Sequence, residues 1–435
     1  MRGQMWSRIF GLVVLGTLLF ALPVFSANWI MLQGTESPLS DGKPKLWGFA
    51  QIEYQYTDGD EIVAGPWTGQ PMAANLIGPD LESSSTFNIK RARLGVRGTV
   101  PGFNDFNYLI DIEGGNNAAT KYGDGVELMD ASLTINPKPW FRLRAGQFKY
   151  PGSEEGMVPP TESHYIDNTS MAGQLLNEPF FDGDGAGTSD NTPTGKGCFH
   201  DIGLQVFGVL PFGGSWEHTY AAMVGNGNGL ARSDNNEDLD TYLYWATEWV
   251  LAGKGKKRDG LKIYAWLQDG KRTLTENGDQ TFDRQRTGAG FTFHKDIFRL
   301  TGEYVLADGM IPSGTDGCAV GGSLNNAGTQ VASYNLLPEE KANGWYVDAG
   351  VRVLNPLWIN LRYDRLNRGT EESANERRFD TVTVGLEYLI NPKVRLMANY
   401  AWRMGEAPGQ LDTSVANQNL DNLNNKILAQ LQVTF

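Results

Sequence analysis

The feature that most narrows the fold is a strict alternation of connection lengths. From Lys45 to Phe435 the chain breaks into segments in which apolar and polar residues alternate, at 45–56, 86–99, 103–113, 126–136, 140–149, 201–210, 214–224, 241–250, 260–268, 282–293, 297–306, 343–353, 357–366, 378–390, 393–403 and 424–435. Period-2 patterning marks strands with one apolar and one polar face. After every second segment comes a tight turn: Pro101 to Asp105, Asn136 to Pro139, Pro211 to Gly214, Gly253 to Gly260, His294 to Asp296, Asn355 to Pro356 and Asn391 to Pro392. Three of these contain Asn-Pro, in which proline fixes φ and asparagine offers a side-chain acceptor. The other connections are polar loops rich in Gly, Asn and Asp, of about 11 to 50 residues, well beyond ordinary loop lengths. A soluble sandwich has no cause to keep all its short turns at one end. A transmembrane antiparallel β-barrel of the bacterial outer membrane does, with short periplasmic turns and long external loops. The sequence therefore predicts an all-β barrel of about 16 strands over residues 45–435, each near the length of a tilted membrane-crossing strand.

The faces agree. In 86–99, Ala92, Leu94 and Val96 share one side, and Arg91, Arg93 and Arg97 the other. In the last segment Ile427, Ala429, Leu431, Val433 and Phe435 oppose Lys426, Leu428, Gln430, Gln432 and Thr434. A face carrying arginine and glutamate along many strands cannot be a dry core and must border water. Aromatics at segment ends, such as Trp47, Tyr54, Tyr56, Trp140, Phe141, Trp358 and Trp402, suit interfacial girdles.

Composition removes the rivals. Past Leu22 no apolar run reaches the roughly 20 residues of a membrane helix; 12 Trp, 20 Phe and 16 Tyr argue against disorder; and a formal charge of −13 argues against a nucleic-acid partner. Arg2 and Arg8 precede an apolar run from Ile9 to Leu22 that Pro23 ends before Ser26 and Ala27, a secretory signal over residues 1–27. Residues 28–44 then read as a short periplasmic segment. In an oxidising compartment Cys198 and Cys318 could pair or remain thiols; both fall in predicted loops.

The runs FNIKRARLGVRG at 87–98, YLIDIEGG at 108–115 and WFRLRAGQFKYPGSEE at 140–155 resemble the phosphate-selective porin O and P family of Gram-negative outer membranes. Terminal Phe435 resembles the signal read by the outer-membrane assembly machinery. The resemblance implies a homotrimer in lipid and lipopolysaccharide, with the third external loop, 150–200, folded into the lumen. It also makes Lys149, in GQFKYP, the first choice for a constriction cation. No cofactor is implied.

By strand parity the lumen would carry about fourteen basic and about nine acidic side chains, an inward basic excess within an acidic molecule. Arg91, Arg93, Arg97, Arg142, Arg144 and Lys149 form the candidate anion ladder, with Arg284, Arg286 and Arg395 as secondary basics, because guanidinium groups stay charged and donate paired hydrogen bonds to oxyanions. Two readings stand beside this one. Asp111, Glu113 and Asp130 could pair with these arginines and only brace the wall. Glu154, Glu155, Glu162 and Asp167 in the inward loop argue against a strict phosphate filter and for a general diffusion porin. A barrel sleeve around a partner protein is the other alternative. His164, His200, His218 and His294 lack metal-ligand spacing, and no serine motif accompanies His218, so neither a metal site nor an enzyme is expected.

Overall fold

A computed structural model describes residues 28–33, 43–57, 61–70, 85–120, 125–180, 195–211, 213–253, 255, 258–274, 280–314, 323–330, 334–423 and 425–435. Sixteen strands close into one antiparallel barrel. In chain order they are β1 Lys45–Thr57, β2 Ser85–Val100, β3 Phe103–Gly114, β4 Val126–Lys138, β5 Phe141–Lys149, β6 His200–Pro211, β7 Trp216–Gly225 and β8 Asp240–Ala252. The second half comprises β9 Asp259–Leu274, β10 Gln280–Lys295, β11 Phe298–Asp308, β12 Lys341–Leu354, β13 Leu357–Arg368, β14 Arg377–Asn391, β15 Val394–Glu406 and β16 Lys426–Thr434. Every strand pairs with its chain neighbours, and β16 closes on β1 with Phe49 opposite Thr434 and Thr57 opposite Lys426. Closure leaves no open edge, as hydrocarbon requires.

Burial alternates as the pattern dictates. In β16 Lys426, Leu428, Gln430 and Gln432 are buried toward the lumen, while Ile427, Leu431 and Val433 are exposed. Leu94, Ile110, Leu133, Leu243 and Leu361 are likewise exposed on the outer wall, which is lipid-facing in a membrane barrel. Among the described residues no helix is long and apolar enough to cross a membrane. Phe435 ends the sheet: its backbone N–H donates to Gly48 O at 3.0 Å, and a Cβ on Gly48 would lie 2.5 Å from its ring.

Parity fails at one place that matters. A bulge in β2 leaves Lys90 unpaired in the ladder, between Arg91 opposite Gln51 and Ile89 opposite Ile52. The extra residue re-aims the strand, so Lys90 points inward together with Arg91.

Short helical turns complete the described structure: α1 Trp29–Leu32, α2 Glu154–Met157, a wide turn at Ala172–Leu176, and α3 Val415–Leu420. α3 lies between β15 and β16, where Asn419 Oδ1 accepts the backbone N–H groups of Val63 and Ala64 from the first external loop.

Candidate functional site

The connection after β5 crosses the interior. Lys149 starts the crossing by donating to the carbonyls of Gly156 and Val158 at 2.6 and 3.1 Å, which fixes α2 against the wall. Glu154 then meets Lys262 of β9 at 2.6 Å, and Ser153 Oγ donates to Glu303 of β11 at 2.8 Å. Arg395 of β15 donates to Ser163 O, and His164 Nδ1 sits 2.8 Å from Glu387 of β14. Tyr165 donates to Asp348 of β12 at 2.7 Å, and the Arg362 guanidinium lies 4.3 Å over its ring. Asp167 is held between Lys90 of β2 at 2.5 Å and Lys426 of β16 at 2.8 Å. Further on, the backbone N–H of Ser170 donates to Asp364 of β13, Arg286 of β10 donates to Leu175 O, and Glu178 meets Arg284 at 2.8 Å and Arg272 at 3.5 Å. With Gln51 of β1 donating to Pro160 O, the loop is bonded to β1, β2 and every strand from β9 to β16.

The electrostatics follow from burial among opposite charges. Burial opposes ionisation of Asp167, but Lys426 and Lys90 outweigh it and hold the carboxyl well below its usual value. Glu178 is treated the same way by Arg284 and Arg272. At Glu155 burial dominates and raises the carboxyl, with Arg362 and Thr169 offsetting part of the rise. The wide turn at 172–176 packs through Met171 against a strand glycine: a Cβ on Gly344 of β12 would come within 2.8 Å of the Met171 side chain.

The residues expected to face an anion are in place but engaged with protein. Arg93 pairs with Glu113 at 2.6 Å and approaches Asp111 at 3.9 Å across the β2–β3 hairpin. Arg91 donates to Gln51 Oε1 at 2.9 Å, and Arg97 lies opposite Leu109 near the end of β2 that leads into the short turn. Arg142 and Arg144 hold backbone oxygens of residues 31–33. Lys149, the first choice for a constriction cation, lines the cavity between loop and wall and donates to two loop carbonyls, because α2 folds back directly over the end of β5. Arg284 binds Glu178 and Gln268; Arg286 donates to five backbone carbonyls; Arg395 joins Glu387, Gln432 and the loop. Bracing is thus the visible role of most of the ladder. The acids of the inward loop, which argued against a phosphate filter, are what tie that loop down.

Sequence parity missed Lys90, whose bulge turns it inward. The signal was present: Asn88 and Lys90 are polar on one parity while Arg91 and Arg93 are polar on the next, so the polar face changes phase between them. The segment 28–33, the start of what reads in sequence as a short periplasmic segment, is bonded to the inner wall of the barrel, where Ile30 and Met31 find an apolar patch. Cys318 lies outside the described residues; Cys198 packs with Met129 and Leu230. Among the described residues no group of His, Cys, Asp and Glu is arranged to hold a metal ion.

Between loop and wall lies a cavity of about 290 Å³. Its lining includes seven arginines and lysines (Arg91, Arg93, Lys149, Arg258, Lys262, Arg299, Arg362) and six carboxylates (Glu113, Glu154, Glu155, Glu162, Glu248, Asp348), a nearly balanced set with a small positive excess.

The sequence model of the phosphate-selective porin O and P family matches residues 75–157 and 357–435, covering β2 to β5 with the start of the inward loop and β13 to β16. Solved structures share the fold at low identity. An anion-selective porin from Comamonas acidovorans is 13% identical, with a TM-score of 0.51 over 90% of this chain and 99% of that one. Salmonella typhi OmpF gives 12% and 0.55 over 91% and 98%, and the outer membrane channel DcaP of Acinetobacter baumannii 14% and 0.52 over 90% and 97%. No curated protein sequence matches.

Proposed function

We propose that this chain, which matches the phosphate-selective porin O and P family at both ends of its barrel, works as a porin of the Gram-negative outer membrane, a channel through which small anions such as phosphate diffuse. The observation that carries the reading is a closed sixteen-stranded wall whose inner face bears charged side chains from nearly every strand, beside one apolar patch, while its outer face is apolar. Low-dielectric walls focus the field of lumen charges, so even a small basic excess biases permeation toward anions. The chemistry is passage rather than catalysis: solute strips against fixed guanidinium and carboxylate groups and leaves unchanged.

The nearly balanced cavity favours weak selectivity as the second reading. A filter that binds phosphate tightly needs unengaged guanidinium forks, and Arg93, Arg284 and Arg395 already have carboxylate partners. The sleeve reading is disfavoured, since the chain's own loop occupies the interior where a partner protein would sit. Export by the signal at 1–27, assembly through Phe435, contact with lipid and lipopolysaccharide, and a homotrimer are parts of the same proposal. No cofactor enters it.

The test is reconstitution in planar bilayers followed by millimolar phosphate. A shallow fall in chloride current supports the weakly selective anion channel. A steep, saturating block identifies a dedicated phosphate filter instead, and absence of any conductance from folded protein rejects the channel.

A further inference from the structure

The chain's first described segment sits inside the channel it precedes. Asn28, Ile30 and Met31 are 1%, 2% and 4% exposed, values of a core and not of a tail. Asn28 caps its own helical turn, accepting the N–H of Ile30, and donates to Tyr244 OH of β8 at 3.1 Å. Ile30 and Met31 belong to one apolar cluster with Phe207, Ala221, Tyr244 and Ala246 of the inner wall. Beyond them the turn's exposed carbonyls meet two arginines: Arg142 donates to Met31 O at 3.2 Å, and Arg144 to Gln33 O and, at 3.3 Å, to Gln33 Oε1. Both lie at the start of β5, just past a short turn, which puts the segment in the periplasmic half of the lumen. The segment is also coupled to the inward loop. Trp29 Nε1 donates to Glu154 Oε1 at 3.1 Å, while the other oxygen of the same carboxylate holds Lys262 at 2.6 Å.

We propose that residues 28–33 are a displaceable plug that narrows the periplasmic side of the channel and sets its conductance. The inference rests on the channel reading above. Three features make the segment a plug and not a fixed part of the wall. It contributes no strand to the barrel, so its removal breaks no ladder. Its grip is local, a single helical turn held by two apolar side chains and by hydrogen bonds to Tyr244, Glu154, Arg142 and Arg144. And eleven residues separate Gln33 from Lys45, a length that reaches about 35 Å when extended, enough to swing the segment out of the mouth. Coupling through Glu154 means that withdrawal also loosens the first turn of the inward loop.

The experiment compares wild type with a deletion of 28–33 and with the Ile30→Asp/Met31→Asp pair, which keeps the length and expels the turn by burying charge. Folding is checked by heat-modifiable migration on gels, and single-channel conductance is then recorded. The plug predicts at least a twofold rise in conductance in both variants, with larger neutral solutes passing in liposome swelling. Folded variants with wild-type conductance overturn the plug and leave the channel standing. Folded wild type and variants that all fail to conduct overturn the channel reading, and the plug with it.

Discussion

The salt-bridge latch at Asp167 makes the sharpest single prediction. Replacing Asp167→Asn keeps the side chain's shape and removes the negative charge held between Lys90 and Lys426. The lysine side chains are only 10% and 4% exposed, whereas that of Asp167 is 35% exposed and partly screened. Breaking a fully buried pair costs about 3–5 kcal/mol, and an exposed one about 0–1. The latch lies between these limits, at about 2 kcal/mol. Since 1.4 kcal/mol is tenfold, the ratio of released to latched loop should rise about 30-fold. The neighbouring anchors, Tyr165 on Asp348 and Ser170 on Asp364, persist, so the loop fluctuates locally without leaving the lumen. Single-channel records should show frequent short excursions between conductance levels. The zero-current potential should also move toward anions, because two lumen lysines lose their shared counter-charge. Records of Asp167→Asn with wild-type noise and wild-type potential would refute the latch.

Other substitutions probe separate joints. Gly344→Leu drives a side chain into Met171 and brings its Cβ to 3.0 Å from the backbone carbonyl of Arg365 on the paired strand; it should push the wide turn off the wall and raise conductance, with a modest fall in the melting of the barrel on gels. Lys149→Met loses the donors to Gly156 and Val158 and one of the seven cations that line the cavity; the account expects a noisier channel with a weaker anion preference, since the cavity's small positive excess goes with it. Arg93→Ala strands Glu113 and Asp111 inside the wall and should lower stability by about 3–5 kcal/mol, read as a lower temperature for the shift in gel migration. The depressed carboxyl of Asp167 fixes a pH window: its stabilisation is complete above the ordinary value of 3.8 and is lost only as pH falls through the lower folded value. In Glu155→Gln, which removes the raised carboxyl beside the latch, channel noise should therefore stay flat from pH 7 to 4 and rise with stronger acid; a rise near pH 6 would show that another group governs the latch.

How far the sequence reached depends on what each feature needs. Strand number, order and the separation of short turns from long loops come from local rules, namely alternation and Asn-Pro turn chemistry, and all sixteen predicted segments overlap the sixteen barrel strands. Inward parity placed Arg93, Arg284 and Arg395 correctly for the same reason. What those side chains touch is set by contacts between residues far apart in the chain, such as Glu178 with Arg284 or Asp167 with Lys426, which no periodicity encodes. The balance between anion-facing and bracing roles was therefore open until the loop's path was seen. Lys90 was lost to a bulge, where one extra residue inverts the parity on which the inference ran. The turn at 28–33 was lost because four helical residues with two apolar side chains leave no sequence signature against a short linker.

The central claim is that a weakly basic lumen passes anions in preference to cations. It is tested most directly by the zero-current potential of the purified protein in a bilayer across a potassium chloride gradient. The account predicts a potential displaced modestly toward the chloride equilibrium value; a displacement toward the potassium value would contradict it.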